Sequence, residues 1–285
     1  MSFKNQLRNV IPPAMWQTMG FIKRVPHYWN LDRSSNLCVK NGLADNHLFW
    51  NNDFYITIPE SLTAYICWRS HGFEEQSSRQ EAIDFLELTQ GCSSFVDIGA
   101  QTGFMSALFA KSRKGAYKVL SVEPDTQVLP VLQRAAELNK SDQGDWTVAA
   151  VAVSDVNQVI TLPVSNTLFE KSGDAAPESM TVECQTLTDL LTSVNWMPDV
   201  LKIDVESFEY EILTSSLDLI GRQKPALQLE VHWEILEGRG KSALDFLKPL
   251  SDLGYRGIRK TYRDLEAWER SGRKEKVSRM ALRGK

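Results

Sequence analysis

Between residues 92 and 235, short apolar runs alternate with stretches whose apolar residues recur at helical spacing. The strands expected there are Ser94–Ile98 (SFVDI), Lys118–Val122 (KVLSV), Trp146–Val153, Val200–Val205 (VLKIDV) and Ala226–Val231 (ALQLEV). Helices are expected at Phe104–Ser112, Val128–Asn139 and Phe208–Ile220, between most of those strands. Near-continuous apolar strands in a β-α-β-α rhythm predict a mostly parallel sheet covered on both faces. Upstream, a strand is expected at Phe54–Ile58, broken by Pro59. A helix follows at Ser78–Thr89, burying Ala82, Ile83, Phe85, Leu86 and Leu88, with Gly91 as its stop. Downstream come a helix at Ser242–Leu250 and two closing strands, near Gly257 and at Val277–Leu282. Ser165–Ser179 holds turn residues without a period, and so long a loop reads as a substrate-covering flap.

Composition places this pattern in an ordinary globular chain. Its 285 residues are 42% hydrophobic and 24% charged, enough to bury a core without staples, which excludes disordered, collagen-like and disulfide-scaffold classes. No apolar run approaches the roughly 18 residues of a membrane span. Lys4 and Arg8 precede a stretch interrupted by Pro12, Pro13 and Gln17, so no leader is expected and a cytoplasmic location is. Cys38, Cys67, Cys92 and Cys184 form no C-x-x-C pair and read as reduced thiols. His27, His47, His71 and His232 form no ligand pair, so their spacing predicts no metal site.

Charge is unevenly spread. Residues 256–285 carry eleven Lys/Arg and four Asp/Glu, a balance of +7, and the net charge of -4 leaves -11 for the rest. The tail reads as a solvated end containing a strand. An acidic body argues against nucleic acid as the principal ligand, because phosphate binding needs a basic footprint.

The sharpest motif is Phe95-Val96-Asp97-Ile98-Gly99-Ala100-Gln101-Thr102-Gly103-Phe104, an apolar strand, a glycine turn and a helix. Ligands of open α/β sheets bind at such strand ends. The nicotinamide fingerprint G-x-G-x-x-G would need glycines at positions 101 and 104, where Gln101 and Phe104 stand. What stands is D-x-G-x-x-x-G, which resembles the first motif of S-adenosylmethionine (SAM)-dependent methyltransferases. Val122-Glu123-Pro124 ends the next strand, and a carboxylate there can accept hydrogen bonds from both ribose hydroxyls of a nucleoside. Ser154-Asp155 ends the third strand, where an adenine contact would fall. In the fourth strand, Lys202 and Asp204 share one face, as a structural ion pair or as part of a site. Asp204 and Glu206 there, with Glu230 and His232 at the fifth strand's end, are the candidates to surround a methyl acceptor. Gly240-Lys241-Ser242 is a decoy, because a phosphate loop would need glycine where Ile235 stands.

These stretches together resemble the FkbM-type methyltransferase family. The matching residues are Val96–Phe104, Val122–Pro124, Val151–Asp155, Thr186-Leu187, Leu201–Glu209 (LKIDVESFE) and Leu229–His232 (LEVH), across residues 73–260. Phe73-Glu74 resembles the family's upstream acidic position. Two departures stand out: Ser207 replaces a glycine, and Asp189 falls one place later than the family's aspartate. The resemblance implies a class I SAM methyltransferase fold, doubly wound and Rossmann-like on a mostly parallel seven-stranded sheet. It also implies a domain at 73–285 behind an extension at 1–72 that shapes the acceptor pocket or an oligomer contact. It implies methyl transfer from SAM to a hydroxyl of a sugar, polyketide or related natural product. Asp97, Gly99, Ala100, Gln101, Thr102, Gly103, Phe104, Glu123, Pro124, Ser154 and Asp155 would hold the cofactor. Asp204, Glu206, Glu230 and His232 would act at the acceptor, as a base or through Mg²⁺ held by Asp204 and Glu230. The alternative is a SAM-binding module without catalysis.

Overall fold

The chain opens its described course with an antiparallel sheet of β1 (Val39–Asn41), β2 (Asn46–Trp50) and β3 (Phe54–Ile58). The computed structural model describes residues 39–41, 46–50, 53–163, 179–206, 208–259 and 277–284. Helix α1 (Leu62–Arg69) follows, its first turn closed by the Ser61 hydroxyl accepting from the Ala64 N–H. One π-helical turn, Ser70–Glu74, leads into α2 (Gln76–Leu88). The alternating zone then runs β4 (Ser94–Ile98), α3 (Phe104–Lys111), β5 (Tyr117–Val122), α4 (Leu129–Asn139) and β6 (Gly144–Ala149). Three short strands come next, β7 (Ala152–Ser154), β8 (Gln158–Pro163) and β9 (Ser179–Thr186), then α5 (Leu187–Val194). The chain closes with β10 (Val200–Ile203), α6 (Glu209–Gln223), β11 (Ala226–Val231), α7 (Trp233–Gly238), α8 (Leu244–Asp252), β12 (Arg256–Gly257) and β13 (Ser278–Arg283).

The main sheet has seven strands in the order β12-β13-β11-β10-β4-β5-β6, with β13 antiparallel to both of its neighbours and the other pairs parallel. Every residue of β4, β10 and β11 is buried, as expected of parallel strands covered on both faces. Val96, Ile98, Leu201, Ile203 and Leu229 pack toward α5, α6 and α8 through Leu190, Ile212 and Phe246. The opposite face carries Phe95 and Val200 under Phe85 of α2 and Phe109 of α3. Leu48, Trp50, Ile56, Ile58 and Trp68 belong to that same cluster, so β2, β3 and α1 share the second core. Each such fully buried large side chain contributes about 1.5–3 kcal/mol.

Two expectations change. Trp146–Val153 is not one strand: β6 stops at Ala149, and β7 joins a separate three-stranded sheet in the order β7-β9-β8. The run Val148–Val153 is uniformly small and apolar, so nothing in it punctuates the switch. The partners β8 and β9 were not foreseen. In α2, Ile83 is 37% exposed while Glu81 is 5% exposed, so a carboxylate occupies the buried stripe. The expected flap at Ser165–Ser179 lies outside the described residues except for Ser179, which begins β9.

Asp189 has a local task. The Thr186 hydroxyl accepts from the Asp189 N–H at 3.1 Å and donates to the Asp189 carboxylate at 2.8 Å, capping α5. Thr186→Ala should cost about 1 kcal/mol in a urea unfolding midpoint while leaving cofactor binding unchanged. Among the described residues no helix is long and apolar enough to cross a membrane.

Candidate functional site

The chain reverses its direction of travel across the sheet between β4 and β10, and ligands of open α/β sheets bind at such switch points. A cavity of about 610 Å³ lies there. The β4–α3 turn forms its floor. Gly99 has φ +77°, and a Cβ placed on it would fall 1.7 Å from the Asp204 carbonyl oxygen. The Gly99 and Ala100 N–H groups both donate to the Val122 carbonyl at 3.0 Å, and the Asp204 N–H donates to the Ile98 carbonyl at 3.1 Å. Three strand ends are therefore pinned around one glycine. Gly103 (φ +86°) faces Leu132 of α4, which makes it a packing position at the start of α3.

Two residues without glycine's freedom hold left-handed backbone beside this cavity, Gln101 (φ +49°) and Glu206 (φ +49°). Such conformations cost of order 1–3 kcal/mol and collect at functional sites. Ser207 lies outside the described residues.

Glu123 is 8% exposed at the end of β5 and lines the cavity. Its carboxylate accepts from the Gln101 N–H at 2.8 Å and the Asp125 N–H at 3.0 Å. Burial pushes its pKa up, and those two backbone N–H groups pull it part of the way back. Each carboxylate oxygen has a second lone pair to offer a ligand hydroxyl.

Register builds the opposite wall. Lys202 stands opposite Asp97 on β4 and opposite Gln228 on β11, so the three share the α2 side of the sheet. The Lys202 ammonium lies 3.0 Å from Asp204 Oδ2 and 3.6 Å from Asp97 Oδ1. Asp97 also accepts from the Ser106 hydroxyl at 2.7 Å. Burial would lower the pKa of Lys202, but Asp204, Asp97 and Glu81 outweigh it and hold the ammonium charged. Burial would raise Asp204, yet the Lys202 ammonium keeps its carboxyl below the usual range. Glu230 is pushed up to about 8 by burial, then by the charges of Asp204 and Glu81. Arg279 of β13, directly across the ladder from Glu230, bridges Glu230 at 2.8 Å and Glu81 at 3.0 Å.

Of the residues expected at the cofactor, Asp97, Gly99, Ala100, Gln101, Thr102, Phe104, Glu123 and Pro124 line the cavity. Gly103, Ser154 and Asp155 do not; Gly103 packs against Leu132, and Ser154 ends β7 in the small sheet, where its hydroxyl donates to Asp155. Of the acceptor candidates, Asp204, Glu206 and Glu230 line it, while His232 stands just behind, its Nε2 3.6 Å from Glu206 Oε2. The side chains of Phe73 and Glu74 lie outside the described residues.

Sequence reasoning missed several lining groups. Cys67 and His71 come from α1 and the π-helical turn, Ile160 and Met180 from β8 and β9, Glu81 from α2 and Arg279 from β13. For Glu81 and Arg279 the available sign was a charge within an otherwise apolar face. The others carried none.

The methyltransferase FkbM domain model matches residues 97–256. Among solved structures, a methyltransferase FkbM from Methylobacillus flagellatus KT is 22% identical over 56% of this chain and 37% of that one, with a TM-score of 0.38. An O-methyltransferase from Bacillus cereus in complex with SAH is 10% identical over 78% of this chain and 86% of that one, at 0.40. An rRNA methylase from Streptococcus thermophilus is 10% identical over 74% and 97%, at 0.44. Such loose likenesses carry no argument about activity. No curated protein matches the chain.

Proposed function

Because the chain belongs to the methyltransferase FkbM family, we propose that it transfers a methyl group from SAM to a hydroxyl oxygen of a sugar, polyketide or related natural product. The observation that carries this reading is the cavity at the sheet's switch point, with a glycine turn and Glu123 at one end and a carboxylate cluster at the other.

In this reading Glu123 accepts the ribose hydroxyls, while Gly99–Thr102 and Asp97 surround the methionine end. The adenine lies against Val153, Ile160 and Met180 rather than Ser154 and Asp155. The sulfonium sits near Asp204, whose ionised carboxyl suits a positive neighbour. The methyl group is already activated, so the protein's task is to hold the acceptor oxygen in line with the S–CH₃ bond. The oxygen takes the methyl group, S-adenosylhomocysteine leaves, and the hydroxyl proton passes to the cluster of Asp204, Glu206, Glu230 and His232.

Glu123→Ala should weaken SAM binding by roughly 10- to 100-fold, the loss of two charge-assisted hydrogen bonds. Calorimetric titration checks it. An affinity equal to that of the unaltered protein would remove the ribose assignment.

A further inference from the structure

Three side chains from two adjacent strand ends meet on the acceptor side. Asp204 follows β10, Glu230 lies near the end of β11 and His232 follows β11; one ligand atom from each falls within 4.8 Å of the others. The parallel register, with Ile203 opposite Leu229, brings 204 level with 230. Alternation then sets His232 on the same side as Glu230.

Carboxylates alone would not make a metal site, and the imidazole is the second observation. His232 is 6% exposed, and its Nδ1 is buried without a hydrogen bond. The fully buried Glu209 carboxylate at the start of α6 accepts the His232 backbone N–H at 2.7 Å and stands 3.5 Å from Nδ1. A metal-bound histidine ordinarily turns its second ring nitrogen toward a carboxylate, and Glu209 occupies that place. Nε2 is then left for an ion, with Glu206 Oε2 3.6 Å away as a further oxygen donor.

The neighbouring cations do not complete the charge balance. Lys202 takes one oxygen of Asp204 at 3.0 Å and Arg279 one oxygen of Glu230 at 2.8 Å, and the two acidic side chains also hydrogen-bond to each other, a contact that a bound dication would replace. Among the described residues, the ion-pair partner of both Glu206 and Glu209 is His232.

We propose that Asp204, Glu230 and His232 bind a transition-metal dication of the Mn²⁺ class. One imidazole with two carboxylates suits such an ion better than Mg²⁺, which prefers oxygen ligands alone and keeps its waters. Bound there, a dication would lower the pKa of a hydroxyl that coordinated it.

The test takes the full-length protein, strips it with chelator and titrates it with Mn²⁺ while following the free-ion paramagnetic resonance signal. One saturable site per chain is expected, with nitrogen modulation from the imidazole in the pulsed spectrum. Glu209→Gln should weaken Mn²⁺ binding by about tenfold or more, and His232→Gln should abolish the nitrogen modulation. SAM calorimetry on the same samples separates this site from the methyltransferase reading. Wild-type protein that binds SAM but not Mn²⁺, or binds Mn²⁺ without nitrogen modulation, overturns the site and leaves that reading standing. So does a folded His232→Gln protein that binds Mn²⁺ as tightly as wild type. Mn²⁺ binding with nitrogen modulation in protein that does not bind SAM upholds the site and counts against the methyltransferase reading.

Discussion

Replacing Gly99 by alanine should abolish SAM binding and cost about 4 kcal/mol of stability or more, the range reserved for changes with a specific steric or electrostatic cause. Two effects add. The left-handed backbone at φ +77° penalises any Cβ by about 1–2 kcal/mol, and that Cβ would meet the Asp204 carbonyl oxygen at 1.7 Å. The second effect decides the size, because the obstructing atom is backbone, and the strand end behind it is fixed by the Asp204 N–H to Ile98 bond. Relief requires β4 and β10 to part, which displaces Asp204 and the cofactor turn together. Gly91→Ala isolates the first effect: its φ is +79°, yet a Cβ there meets nothing within 4 Å. Only that variant should retain SAM binding, with a loss of about 1–2 kcal/mol. Equal behaviour of the two variants in thermal unfolding and calorimetry would show that the clash is relieved by some other route.

The glycine turn was readable in the sequence because strand, turn and helix are contiguous, so local spacing carries the geometry. The same holds for Glu123, which ends the next strand. The wall opposite was readable only in part. That Lys202 and Asp204 share a face follows from alternation, but that Asp97 joins them depends on a register between residues 105 places apart. Glu81 and Arg279 are further from reach. Each is a single charge inside an apolar pattern, and its purpose shows only when α2 and β13 bring the two together beside Glu230. The boundary between β6 and β7 was not legible for a different reason. Val148–Val153 offers no turn residue to mark where the chain leaves the main sheet, so a single strand is expected to run on to Ser154, which instead ends β7 of the small sheet.

Lys202→Met should have the other large effect, a loss of about 3–5 kcal/mol, the range for removing one member of a buried ion pair. For a chain of this size that is a fall in Tm of order 10 °C. Methionine fills most of the volume, so the loss is electrostatic rather than a cavity. Asp97 is 1% exposed, and its Oδ1 already lacks a hydrogen bond; without the ammonium it becomes a buried charge with only Ser106 to serve it. Asp204 would lose its 3.0 Å partner as well. The pH dependence gives the test its sign. In the wild-type protein the Asp204 pKa is lowered, so its contribution is present above the unfolded carboxylate range and is lost only as pH falls through the folded value. The Lys202 pKa is raised, so its contribution is intact throughout the neutral range and is lost only at high pH. In the variant the stranded carboxyls must have raised pKa values, so folding takes up protons, and the variant loses stability as pH rises from acid to neutral. The gap between wild type and variant should therefore widen between about pH 5 and pH 8, the interval through which buried carboxyls with raised pKa values ionise. Thermal unfolding at those two values measures it. A gap of equal size at both would mean that Lys202 supports the sheet by packing its stem, and that the polar row does not depend on its charge.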